Sequence, residues 1–184
     1  STLYQKAMEG DKDCGGMIAC NYYSGEPVTG LEEGRPMFLR RPDSHLGLAN
    51  FMRSHLYASL ATLKIGLDIL LKEEDVKIDS ITGHGGLFKT KGVGQSILAA
   101  AMNAPISVME TAGEGGAWGM ALLAAYMLSK KDGQSLGDYL DSRVFAERKS
   151  ETMEPDLADV AGFETYTKQY QACLEAEKAA VQAF

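Results

Sequence analysis

Apolar residues recur at steps of three and four through Met52, Leu56, Leu60, Leu63, Leu67 and Leu70, while Arg53, Lys64, Asp68 and Lys72 fall on the other side. That spacing predicts a long amphipathic helix from about Leu48 to Lys72, with the Met and Leu stripe packed in a core. Before it, residues from about Ser1 to Met8 read as the tail of a helix, stopped at Gly10 and the polar run Asp11-Lys12-Asp13. Gly16 to Tyr23 reads as a short strand with Met17, Ile18, Ala19 and Cys20 as its apolar body. From Ser24 to Pro42 the density of Gly, Pro and charge predicts an irregular excursion. Beyond the long helix, Lys77-Ile78-Asp79-Ser80-Ile81-Thr82 alternates as a strand and runs into Gly83-His84-Gly85-Gly86. A helix over about Gly92 to Met102 carries Val93, Ile97, Leu98 and Ala101 on one face, Pro105 ends it, and Ile106 to Met109 forms another strand.

A third helix is expected from near Glu114 to about Ser129. Gly113, Gly115, Gly116 and Gly119 are interleaved there with Ala112, Ala117 and Ala121. So many small residues cost helix propensity, and close approach of a ligand or another backbone is the usual compensation. Ser135 is placed to cap a short helix through Leu140, Pro155-Asp156 marks a turn, and a long helix from about Gly162 keeps Phe163, Tyr166, Tyr170, Leu174, Val181 and Phe184 largely to one side. Strand and helix alternate through the middle, so the class is α/β with a mixed or parallel sheet.

The chain has 184 residues, enough for one substantial core, and its 45% hydrophobic and 23% charged residues are those of an ordinary globular protein. No apolar run approaches the roughly 20 residues of a membrane span, so a membrane partner is not expected. A formal charge of −7 argues against nucleic acid, whose binders concentrate basic residues on one face. Cys14, Cys20 and Cys173 are widely separated, lack metal-binding spacing and read as reduced thiols. The first residues have neither a signal-peptide core nor a transit-peptide bias, which favours a cytoplasmic setting.

Chemistry concentrates at Thr82-Gly83-His84-Gly85-Gly86, where a strand ends and a helix follows. Ligands of open α/β sheets collect at that edge. Gly83, Gly85 and Gly86 permit close backbone approach and expose amide donors to phosphate or ribose oxygens, and His84 sits within the same turn. Lys89 can neutralise phosphate charge, and Thr90 can cap the next helix or donate its hydroxyl. A nucleotide site and a simple tight turn both remain open on these grounds. Phe88 stands where GxGxxG requires its third glycine, and no Gly-Lys-Ser or Gly-Lys-Thr occurs. The start of the third helix, with Gly113 and Gly116, is the second candidate. It could floor one cleft together with the glycine turn, or simply pack densely on a sheet. Glu114 repels an anion placed there, so adenine or ribose is expected beside this helix and phosphate elsewhere. His45 and His55 lack partners at metal spacing and read as surface or core-edge residues.

These residues resemble a family. Thr82-Gly83-His84-Gly85-Gly86, the helix ending in Ile97-Leu98-Ala99, Pro105 with its strand, and Ala117-Trp118-Gly119-Met120-Ala121 look like the adenosine-binding stretch of FGGY carbohydrate kinases. Asn50 to Leu60 is similar to the family's second signature helix. Ser135 to Leu140, Val144-Phe145 and Pro155-Asp156 look like the tail of pentulose kinases such as xylulokinase and ribulokinase. Thr62 or a neighbour stands where the family often has an acid, Gly47-Leu48 lies closer to His55 than usual, and His84 and Gly86 alter the common Gly-Gly-Gly-Ala turn.

The resemblance implies a ribonuclease-H-like domain of the actin-like ATPase type, its mixed sheet flanked by helices and incomplete within this chain. Residues 1–184 would be an excised C-terminal nucleotide-binding domain. In that family the sugar and the catalytic aspartate belong to sequence upstream, and no residue here matches the aspartate's motif, so the fragment alone is expected to be inactive. The implied reaction is transfer of the ATP γ-phosphate to a hydroxyl of a sugar such as xylulose, with Mg²⁺ on the phosphates. Gly83, Gly85, Gly86, Lys89 and Thr90 would hold ATP or ADP, and an uncovered sheet edge would favour a homo-oligomer. Two rival classes stand beside it. Gly83-x-Gly85 followed by a strand ending at Glu110 could belong to a dinucleotide-dependent oxidoreductase, and an actin-like module could bind nucleotide without catalysis.

Overall fold

The computed structural model describes residues 2–78, 80–109, 114–146 and 150–183. After a short helix α1 (Thr2–Ala7), strand β1 (Met17–Cys20) pairs antiparallel with β2 (Met37–Arg40), Met17 opposite Arg40 and Cys20 opposite Met37. Helix α2 (Leu48–Lys72) leads across to a second sheet of order β3-β4-β5. Strand β3 (Ile81–Gly83) runs parallel to β4 (Ile106–Met109) through the crossover helix α3 (Val93–Met102), and β5 (Ser150–Met153) pairs antiparallel with β4. Helices α4 (Gly115–Ser129), α5 (Leu136–Tyr139) and α6 (Leu157–Ala183) complete the chain. The result is a mixed α/β fold, an open sheet flanked by helices.

The core lies where β1, α2, α3 and α6 meet. All four residues of β1 are buried, because α2 and α6 both pack against it. On α6, Phe163, Tyr166 and Tyr170 are completely buried; burial of such rings stabilises by about 1.5–3 kcal/mol each. The Tyr166 hydroxyl donates to the Ser54 carbonyl at 3.0 Å, so the ring's polar tip is satisfied inside the core. Helix α3 is buried nearly all round rather than on the single face its sequence suggests, since it is held between β4, α2 and α6.

Helix α2 has the ends its periodicity predicts, but its buried face is shifted. Leu56 and Leu60 are in the core, whereas Leu63 and Leu70 are about half exposed at 50% and 47%. Arg53, expected on the solvent side, is fully buried. Its guanidinium pairs with the Asp159 carboxylate of α6, donates to the Tyr57 hydroxyl (Nη2, 2.9 Å) and reaches the Gly10 carbonyl (Nη1, 3.3 Å). A buried charge is tolerable only with such a full set of partners, and they come from segments far apart in sequence.

Other elements differ from expectation, among them β5, a strand that the sequence did not suggest. Strand β2 lies inside the Gly- and Pro-rich stretch read as irregular, because the buried β1 supplies it with a ladder partner. The alternating run from Lys77 shortens to Ile81–Gly83, with Asp79 outside the described residues. Helix α6 begins at Leu157, five positions before Gly162, with the Asp156 carboxylate accepting from the Ala158 and Asp159 amides at 2.9 and 3.0 Å. Ser135 caps α5 as expected, its hydroxyl accepting from the Asp138 amide at 3.1 Å. No helix among the described residues is long and apolar enough to cross a membrane.

Candidate functional site

The glycine turn leaves the C-terminal end of β3, beside the parallel strand β4, and the start of α4 comes up against it. Between them is a cavity of about 410 Å³ lined by His84, Gly85, Met109, Gly115, Gly116, Trp118, Gly119 and Phe145. The two segments touch: a Cβ on Gly115 would lie 3.1 Å from His84 Nδ1. A methyl group on Gly85, Gly86, Gly116 or Gly119 would meet nothing within 4 Å. The small residues of both segments therefore leave open space on one side, which is the arrangement a ligand lying against backbone requires. Gly85 also has φ +108°, a conformation that L side chains rarely adopt.

The site residues expected from the sequence divide by position. His84, Gly85 and Gly116 line the cavity, and Gly86 opens the short 3-10 turn Gly86–Lys89 next to it. Gly83 is buried beneath the Phe88 ring, where a Cβ would come within 2.4 Å of ring carbons, so its lack of a side chain serves packing between strand and turn. Lys89 Nζ is 2.6 Å from Glu114 Oε1, an exposed pair that ties the glycine turn to the cap of α4 and offsets the carboxylate at that helix end. Thr90 lines a neighbouring cavity of about 570 Å³ with Lys89, Lys91, Gly92, Gln95, Ser150 and Glu151. Met109 borders both cavities. Gln95, in the wall of the larger one, is buried and donates through Nε2 to the Ile106 and Glu151 carbonyls at 2.7 and 2.8 Å, fastening α3 to β4 and β5. Gly113 and Glu110 lie outside the described residues.

Trp118 stands in the family-like stretch noted in the sequence, whereas Phe145, Met109, Ser150 and Glu151 were not singled out there as site residues. Trp118 and Phe145 meet edge to face, with centroids 6.0 Å apart, and offer the cavity an aromatic wall. Met109 adds a polarisable side chain of the kind that accommodates flat rings. The only signal for Phe145 was its place in a family-like tail, and nothing local marked Ser150 or Glu151, which arrive by long-range pairing of β5. Among the described residues no group of three or more His, Cys, Asp or Glu could hold a metal ion. The cysteines are free; Cys14 and Cys20 are buried, and burial pushes the Cys20 thiol up to about 12, so it is unreactive as a thiolate.

The family model described as "FGGY family of carbohydrate kinases, C-terminal domain" matches residues 1–128. No curated protein matches the chain in sequence. Among solved structures, gluconate kinase from Lactobacillus acidophilus superposes with a TM-score of 0.70 at 18% identity, over 96% of this chain and 35% of that one. Xylulose kinase from Rhodospirillum rubrum gives 0.64 at 18% identity, over 95% and 32%. Plasmodium falciparum glycerol kinase with ADP gives 0.65 at 17% identity, over 96% and 33%. At such identities the likeness is one of fold, the actin-like, ribonuclease-H-like fold of these kinases, and the chain spans about a third of the length of each.

Proposed function

Since this chain belongs to the FGGY family of carbohydrate kinases by its match to the family's C-terminal domain, we propose that it holds the adenine nucleotide for transfer of the ATP γ-phosphate to a hydroxyl of a sugar or polyol. The observation that carries the proposal is the cleft between the glycine turn and α4, where Gly85, Gly86, Gly116 and Gly119 all present open space and Trp118 and Phe145 form an apolar wall. Adenine and ribose would lie against α4 and the aromatic pair. The phosphates would point away from Glu114, toward amides of the turn and the Lys89 and Thr90 side. When phosphate arrives, Lys89 can exchange Glu114 for it, since both ends of that pair are exposed.

Mg²⁺ would ride on the nucleotide phosphates, neutralising charge as they pass to the acceptor. The chain's own residues would bind and orient the nucleotide. The base that accepts the acceptor's proton is proposed to come from the part of a longer polypeptide that the solved kinases possess and this chain does not span. Xylulose is the first acceptor to try, on the likeness of the chain's tail to pentulose kinases, although the similar structures also include a gluconate and a glycerol kinase. A cytoplasmic setting fits a reaction that draws on ATP. Exposed apolar residues on α4, with Met120 at 69% and Leu128 at 90%, and the outer edges of β3 and β5, which have no ladder partner among the described residues, support self-association of the isolated chain.

The test uses two polypeptides: this chain, and a longer one carrying it together with the remaining two thirds of a kinase of this family. The longer protein should hydrolyse or transfer ATP only when a sugar or polyol is added, and the isolated chain should bind ADP without turnover. Nucleotide binding with no acceptor-dependent turnover across a panel of sugars would instead mark a non-catalytic nucleotide module.

A further inference from the structure

A third hollow, of about 400 Å³, lies against the other sheet and shares no residue with the two cavities at the glycine turn. It is lined by Cys20, Asn21, Tyr23, Pro36, Met37, Phe38, Phe51 and His55, with no charged side chain among them. Phe38, Phe51 and His55 form one aromatic group, with Phe51 at 5.0 Å from Phe38 and 4.5 Å from the His55 ring. Tyr23 at the rim is 91% exposed. Rings left facing solvent in a concave wall are the usual lining of a small-molecule site.

The polar group in that wall is set by its neighbour. Asn21 Nδ2 donates to the His55 backbone carbonyl at 3.3 Å, which turns Asn21 Oδ1 toward His55 Nδ1 at 3.0 Å. An amide oxygen can only accept, so Nδ1 must carry the proton, and Nε2 is left as a bare acceptor. Burial lowers the pKa of His55, which keeps the ring neutral at physiological pH. No hydrogen bond to Nε2 occurs among the described residues.

We propose that this hollow is a second binding site, for a neutral, flat, largely apolar ring that carries a single O–H or N–H donor, the ring against Phe38 and Phe51 and the donor on His55 Nε2. The lining selects against other chemistries. An anion or cation would find no counter-charge. A sugar would bring several hydroxyls to a wall that is mostly ring and methyl surface, where the polar side-chain groups are only Asn21, His55 and the hydroxyl of the exposed Tyr23, and each unpaired hydroxyl weakens binding. The site is independent of the nucleotide cleft and stands or falls apart from it.

The experiment titrates the chain with indole, toluene and D-xylulose, read by ligand-observed saturation transfer and by the ¹⁵N resonances of selectively labelled histidine. Indole should bind and shift His55 Nε2, toluene should bind about tenfold more weakly for want of a donor, and D-xylulose should leave the resonance in place. His55→Phe, which keeps a ring and removes the acceptor, should cost indole about tenfold. Where that variant fails to fold, Phe51→Ala serves in its place and should weaken indole while His55 keeps its bond to Asn21. Undiminished indole binding by whichever of these variants folds would overturn the proposal. So would a His55 response to D-xylulose in place of indole, displacement of indole by ADP, or closure of the hollow by self-association at the concentrations used.

Discussion

Replacing Gly119 by Leu separates the needs of the helix from the needs of a ligand. Gly119 is one turn into α4, and a Cβ there meets no atom within 4 Å. In the free protein a Cβ at this position has no steric cost and the rest of the leucine has the open cavity before it, while glycine inside a helix is about 0.8–1 kcal/mol worse than alanine and leucine is nearly as good as alanine. Gly119→Leu should therefore stabilise the free chain by about 0.5–1 kcal/mol, which for a protein of this size raises Tm by about 1–4 °C. The same side chain grows into the cavity of about 410 Å³ that Gly119 lines. If adenosine occupies that space, ADP should bind at least about tenfold more weakly, a loss of about 1.4 kcal/mol. The assay is a paired measurement of thermal unfolding and calorimetric ADP titration, with Ala124→Leu, on an exposed part of the same helix, as the control that should leave affinity unchanged. A variant that is more stable and yet binds ADP within about twofold of the parent would refute the placement of adenosine over α4.

Gly83→Ala should behave in the opposite way, losing about 1–3 kcal/mol of stability because the new methyl meets the Phe88 ring, and the loss should shrink when Phe88 is shortened to Leu. Asp159→Ala leaves Arg53 buried without its counter-ion and should cost about 3–5 kcal/mol in denaturant unfolding, whereas Arg53→Met in the same background should recover part of it. Unfolding measured against pH should show two acid-side losses. His55 has a folded-state pKa lowered by burial, so the unfolded chain takes up its proton first and stability falls as pH drops below about 6.5, a slope that His55→Phe removes. Asp11 and Asp68 are held below 3.8, Asp11 by hydrogen bonds from Asn50 and His45, and Asp68 by Lys64 and Lys72 against the opposing effect of burial. Their stabilisation is complete above that value and is lost as pH falls through their lower folded-state values.

The parts of the fold legible in the sequence are those fixed by local rules. Helix α2 declares itself by unbroken three-and-four spacing, Pro105 separates α3 from β4, and Ser135 announces α5. The parts that were hidden depend on partners far along the chain. Strand β2 is short and sits amid Gly, Pro and charge, so only its ladder with β1 makes it a strand. Strand β5 carries the polar sequence Ser150-Glu151-Thr152-Met153 and owes its existence to β4, more than forty positions earlier. Arg53 looked like a solvent residue because nothing near it predicts Asp159, 106 positions away, as its counter-ion. The glycine turn and the segment that carries Trp118 could be found from the sequence, whereas the meeting of Trp118 with Phe145 as one aromatic wall required the third dimension. Gly83 and Gly85 look alike in the sequence, yet one makes room for Phe88 and the other borders the cleft.

The central claim is that the backbone between Thr82 and Lys89, with the start of α4, holds an adenine nucleotide. The most direct measurement is an amide NMR titration of the uniformly labelled chain with MgADP, and with NAD in parallel. MgADP should saturate and shift the amides of His84, Gly85, Gly86 and Gly116 together with the Trp118 indole N–H, while NAD binds more weakly. Saturating MgADP that leaves those resonances unmoved, or moves only those of β1, β2 and the N-terminal part of α2, would contradict it.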